Sequence, residues 1–149
     1  MSGYKTHILI YLVSVLSLLF LVKHLNLLEL PVESMLSGVL IGILYSILPD
    51  IDVPSSVMRR ILGRVSLAVM LVLLTAYLFL GDLVFIHISI FLALFLYLLW
   101  FSHHRGFFHS ITAAVLFTLP LLFIDPVIAG FAFYGFLSHL IVDGELSLI

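Results

Sequence analysis

The sequence predicts an all-α membrane protein, a polytopic transmembrane helical bundle of about six segments arranged as helical hairpins, with a polar His/Asp cluster at one membrane face. Three observations carry that reading. The chain has 149 residues, of which 64% are hydrophobic and only 9% charged, more apolar surface than a soluble domain of this length can bury. The apolar residues form long continuous runs without the alternation of barrel strands, and in lipid an isolated segment satisfies its backbone only as a helix. Of the seven histidines, all but His24 and His87 fall at or between run ends, in company with paired aspartates.

The first run, Ile8 to Val22, is followed by more apolar runs and by no small-residue cleavage site, so it reads as a retained helix and not as a signal peptide. The second runs from Ser34 to Leu48 and stops at Pro49. Val65 to Leu80 and Leu83 to Phe101 form a tight hairpin across "LGDLV", with Asp82 placed to cap the fourth helix. Ile111 to Ile124 and Pro126 to Val142 pair similarly across "IDPV", where Asp125 caps and Pro126 takes the first helical position. A helix of about 14 residues rises only about 21 Å against a hydrocarbon core of about 30 Å. Either flanking residues extend the shorter segments, or the polar cluster lies below the membrane surface. No repeat or linker divides the chain, which reads as one domain over residues 1–149.

If each segment crosses once, the N-terminus, the link "PDIDVPSSVMRRILGR", the link "SHHRGFFHS" and the C-terminal stretch share one side. Lys5, Arg59, Arg60, Arg64 and Arg105 then lie on that side and only Lys23 on the other, which predicts a cell-membrane protein with its N-terminus and polar cluster cytoplasmic. The absence of cysteine excludes disulfides and thiolate metal sites. A net charge of −2 gives no basis for a nucleic-acid partner. Membrane lipids are the expected surroundings, and the sequence leaves a homo-oligomer open.

The same parity gathers His7, Asp50, Asp52, His104, His109, His139 and Asp143 at helix ends on one side. His139 and Asp143, four apart, share a helical face, as two ligands from one helix must. Asp50 and Asp52 follow Pro49 in a turn, where they either converge on one ion or bracket two. His104 and His109 flank a bend at Gly106. Three carboxylates near hydrocarbon with one arginine among them are costly unless neutralised, and one or two divalent ions would balance them. Mixed His and Asp ligands suit zinc, manganese or iron better than calcium.

"LPDIDVPSS" (48–56), "HRGFFHS" (104–110) and "GFLSHLIVD" (135–143), together with Thr6-His7, resemble the YdjM-like family of inner-membrane metal-dependent hydrolases. That family shows Leu-Pro-Asp-Ile-Asp, His-Arg-Gly-x-Thr-His-Ser and Ser-His-x3-Asp in this order, and the resemblance covers nearly the whole chain. It implies a polytopic prokaryotic membrane protein with a metal-dependent hydrolase site. Phe108 stands where the family has Thr, which removes a hydroxyl from the neighbourhood of the ligands.

The expected activity is hydrolysis of an amphipathic ester, a lipid phosphoester in the leading reading. Asp52 is assigned as the base if it is not a ligand, and Arg105 as the group that meets developing negative charge. The alternative is a non-enzymatic metal site with a structural or partner-binding role. Neither His-Glu-x-x-His nor Gly-x-Ser-x-Gly occurs, which disfavours zincin and serine-hydrolase chemistry. Ser55, Ser110 and Ser138 are candidates to hydrogen-bond the ligands.

Overall fold

The computed structural model describes residues 3–101, 106–144, 147 and 148. Every regular element among them is helical, and helices α1 (Tyr4–His24), α2 (Val32–Tyr45), α3 (Val57–Leu80), α4 (Val84–Phe101), α5 (Ile111–Leu122) and α6 (Pro126–Asp143) follow in chain order. Two short 3₁₀ turns, Pro49–Asp52 and Phe107–His109, precede α3 and α5. Among the described residues, four stretches are long and apolar enough to cross a membrane: Tyr4–His24, Val32–Asp52, Val57–Leu80 and Pro126–Asp143. The apolar helices Val84–Leu99 and Ile111–Leu122 are shorter.

Contacts divide the chain into two compact units, residues 1–50 with 105–149 and residues 51–104. In the first, α6 is the hub against which α1, α2 and α5 all pack. Its α5 flank buries Phe136 and Leu140 against Ala113 and Ala114. Its α1 flank buries Phe131 against Tyr11 and Val15. Lipid tails are as apolar as leucine, so close association in a membrane relies on small residues that admit a neighbouring backbone. Gly42 and Gly135 supply that fit between α2 and α6. A Cβ on Gly135 would lie 3.0 Å from Gly42 Cα and closer still to the Gly42 carbonyl oxygen.

One turn before this crossing, Gly38 faces the Phe131 ring. One turn after it, the Ser46 carbonyl meets His139. The contacts advance four residues at a time in the same direction along both chains, so α2 and α6 run parallel. The C-terminal ends of both therefore reach the same end of the unit.

Local chemistry sets the boundaries. Asp125 caps α6 by accepting from Val127 N–H at 2.7 Å and Ile128 N–H at 3.4 Å, ahead of Pro126 at the first helical position. The Ser34 hydroxyl beside it, with those two N–H groups, holds the Asp125 carboxyl below the usual carboxylate range. At the end of α1, Asn26 adopts φ 50°, and Leu27 N–H reaches back to the Val22 carbonyl. This is the left-handed closure that Asn tolerates where Gly is absent.

In the second unit, α3 and α4 form the expected hairpin. Gly81 turns the chain at φ 70° and the Asp82 carboxylate accepts from Val84 N–H at 2.9 Å. One boundary departs from expectation: α3 begins at Val57, not Val65. Ser56 caps it by accepting from Arg59 N–H at 3.0 Å, which recruits "VMRRILGR" into the helix. Arg59, Arg60 and Arg64 thus occupy its first two turns, and Arg59 Nη2 donates to the Leu96 carbonyl of α4 at 3.2 Å. Two other helices end early. Pro49 lacks an N–H and disfavours helical geometry at Leu48, so α2 stops at Tyr45. Pro126 does the same to Asp125, which is extended at φ −158°, so α5 stops at Leu122 with Pro120 inside its last turn.

Candidate metal centre

Four helix ends bring the candidate ligands of the first unit together. His7 lies in the first turns of α1, Asp50 in the 3₁₀ turn after α2, His109 at the end of the 3₁₀ turn before α5, and His139 and Asp143 on the last turns of α6. His7, His109 and His139 are each at most 1% exposed. Burial of three imidazoles beside two carboxylates needs a structural reason, since desolvating such groups is costly unless charge and donors are matched.

Donor atoms of Asp50, His109, His139 and Asp143 all lie within 4.8 Å of one another. His139 Nε2 is 3.5 Å from Asp143 Oδ2 and 3.7 Å from Asp50 Oδ1. His109 Nε2 is 3.9 Å from the same Asp50 oxygen. On the other side of the cluster, His7 Nε2 is 3.6 Å from Asp143 Oδ1, so Asp143 turns one oxygen to each histidine. These separations exceed hydrogen-bond lengths of about 2.7–3.2 Å. They approach the spacing of about 3.4 Å between donors in a tetrahedral shell with bonds of about 2.1 Å.

The orientation of His139 is fixed from behind. Its Nδ1 is 2.8 Å from the Ser46 backbone carbonyl. A carbonyl only accepts, so the proton of this contact sits on Nδ1, and Nε2 is the nitrogen turned toward the carboxylates. Nε2 facing two carboxylate oxygens needs a positive charge between them, supplied by a proton on Nε2 or by a metal ion. The His7 ring stacks on His139 at 3.9 Å between centroids with 13° between planes, and His109 meets it edge-on at 5.4 Å and 63°. A donor set of imidazole nitrogen and carboxylate oxygen, held by a backbone carbonyl, fits a divalent transition metal.

His109 is anchored through its backbone. Ser110 caps α5 by accepting from Ala113 N–H at 3.1 Å and donates to the Phe107 carbonyl at 2.7 Å. Ser147 donates to the His109 carbonyl at 3.2 Å, and its own carbonyl accepts from Ile111 N–H at 3.0 Å. The segment after α6 therefore returns to brace the start of α5. Phe108 stacks on Phe117 of α5 at 5.9 Å between centroids, so it packs where a threonine would have offered a hydroxyl. Gly106 bends the chain at φ −90°, without recourse to the left-handed region.

Of the residues the sequence nominates, His7, Asp50, His109, His139 and Asp143 converge. Asp52 belongs to the second unit and is not among the four grouped donors. His104 and Arg105 lie outside the described residues. The nominated serines take other work: Ser110 caps α5, Ser138 donates to the Gly135 carbonyl at 2.7 Å, and Ser55 is an exposed turn residue. The residue that orients a ligand is Ser46, through its carbonyl. The spacing Gly38-x3-Gly42-x3-Ser46 was the available signal, a small-residue stripe that marks a close helix contact.

Compared with known protein families, the chain matches one described as YdjM inner membrane protein over residues 1–145. No curated protein and no solved structure matches it.

Proposed function

The chain belongs to the YdjM inner membrane protein family, and from that premise we propose that it is a membrane-embedded metal-dependent hydrolase. The observation that carries this reading is the His139 arrangement: Nδ1 on the Ser46 carbonyl at 2.8 Å and Nε2 turned to Asp50 and Asp143 at 3.7 and 3.5 Å. Asp50, His109, His139 and Asp143 would hold the ion, and His7, facing the second oxygen of Asp143, would complete its shell or join a second ion. Zinc and manganese are the candidate metals.

When bound, a divalent ion supplies Lewis acidity toward an ester oxygen and toward water. The chain's own part is to orient and to exclude solvent. The stacked His7 and His139 rings fix the donor directions, and the burial of all three histidines keeps water at the centre few in number. Asp52 as proton acceptor and Arg105 as partner of developing negative charge are roles that rest on the sequence motifs. A centre at the helix ends of a membrane protein favours an amphipathic substrate, and a lipid phosphoester presented from the cytoplasmic leaflet is the class we assign.

Elemental mass spectrometry of detergent-purified protein tests the metal, and release of phosphate or headgroup from a phospholipid panel tests the activity. Near-stoichiometric metal that falls in Asp50→Ala and His139→Ala, with chelator-sensitive turnover, is the expected result. Folded wild-type protein that stays metal-free after incubation with zinc or manganese would refute the reading. The near-complete burial of the three histidines favours a second reading, a closed structural site. In that case metal removal lowers the melting temperature and no phosphoester in the panel turns over.

A further inference from the structure

On the membrane side away from the cluster, α1 and α6 part to leave an apolar groove of about 510 Å3. On α6 it extends from Pro126 to Leu137, about 17 Å at helical rise. One leaflet of a bilayer is about 15 Å of hydrocarbon, half of about 30 Å. The groove is therefore as long as one leaflet's acyl chain. Leu19, Val22, Leu28 and Leu30 also line a second hollow of about 570 Å3 at the end of α1. The two hollows thus adjoin, sharing these four side chains.

The second hollow is polar where the first is not. Lys23, Asn26 and Glu29 line it. The left-handed turn at Asn26 brings the residues after α1 back to its end. Among the described residues neither Lys23 nor Glu29 takes part in an ion pair. One cation and one anion at the mouth of an acyl-length groove match the phosphate and ammonium of a zwitterionic headgroup. A primary ammonium also donates hydrogen bonds to a carboxylate, which a choline headgroup does not.

We propose that this groove binds one aminophospholipid of the leaflet opposite the metal cluster, its phosphate at Lys23, its ammonium at Glu29 and one acyl chain between α1 and α6. The site is remote from the metal ligands and does not depend on the hydrolase reading.

Native mass spectrometry of the full chain, released from equimolar phosphatidylethanolamine, phosphatidylcholine and phosphatidylglycerol, tests it. The expected result is one retained phosphatidylethanolamine, favoured over phosphatidylcholine by about fivefold, with the preference lost in Glu29→Gln. A Cβ added at Gly130, which lines the groove, meets nothing within 4 Å. Gly130→Leu therefore extends a side chain into the groove from a position with room for its Cβ, and retention should fall about tenfold, the weight of roughly two displaced methylenes. Leu18→Trp, on the α1 wall, should act alike. Circular dichroism of each variant confirms folding. Preference for phosphatidylglycerol, equal retention of all three lipids, or retention unchanged in both groove-filling variants would overturn the proposal.

Discussion

Replacing Gly135 by alanine should weaken metal binding although the new methyl touches no ligand. An alanine Cβ would sit 3.0 Å from Gly42 Cα, whereas carbon atoms settle at about 3.5–4.0 Å. The α2 and α6 backbones must therefore part by roughly 0.5–1 Å, and further to clear the Gly42 oxygen. One turn on, His139 Nδ1 bonds the Ser46 carbonyl at 2.8 Å. The same displacement lengthens this bond to roughly 3.3–3.8 Å, past the usual limit of about 3.2 Å. Loss of a hydrogen bond that orients a ligand costs about 10–100-fold in metal affinity, or about 1.4–2.7 kcal/mol. Stability should change less, because alanine gains about 0.5–1 kcal/mol of helix propensity over glycine against about 1–3 kcal/mol of overpacking. Competition with a chelator of known affinity measures the effect on zinc and manganese. Gly130→Ala, on the same helix with open space around its Cβ, is the control and should keep wild-type affinity. If Gly135→Ala binds metal as tightly as Gly130→Ala, the α2–α6 contact does not set the centre, and the reasoning fails.

Three further outcomes follow from local structure. The Tyr11 hydroxyl is buried with no hydrogen-bond partner among the described residues, so Tyr11→Phe should hold or raise stability by about 1 kcal/mol; a large drop in melting temperature would contradict this. Ser56→Ala removes the cap of α3 and should cost about 1 kcal/mol, read as loss of helical signal on heating. The Asp125 carboxyl is held below its ordinary value of 3.8, first by Ser34 and then by the α6 N–H groups. A lowered folded value favours the ionised native state. Its stabilisation is present above the unfolded value and disappears as pH falls through the folded one. The melting-temperature gap between wild type and Asp125→Asn should hold steady from neutral pH to about pH 4 and close below it; a gap that widens in acid would show the sign to be wrong.

The readable parts of the fold were those in which one residue type imposes one local geometry. Asp82 and Asp125 as caps, Pro126 at a first helical position and the His139–Asp143 pair depend on spacing within a few residues, and all appear as expected. The start of α3 lies ahead of the apolar run Val65 to Leu80. Arg59, Arg60 and Arg64 interrupt the apolar run, yet arginine is a good helix former, and a serine cap outweighs polarity at a membrane edge. The early ends of α2 and α5 lie ahead of Pro49 and Pro126, since the effect of a proline falls on the residues before it.

The centre divides along the same line. Composition, run length and helix parity were enough to establish a helical membrane protein and to send His7, Asp50, His109, His139 and Asp143 to one side, because hydrophobicity and crossing number are properties of the chain alone. Tertiary structure decided which donors meet and which nitrogen of His139 faces them. That choice comes from a backbone carbonyl at Ser46, delivered by two parallel helices that approach closely only where Gly42 and Gly135 lack side chains. A backbone carbonyl is present at every residue, so no side-chain motif marks this one. Its role exists only once helix packing has fixed the distance.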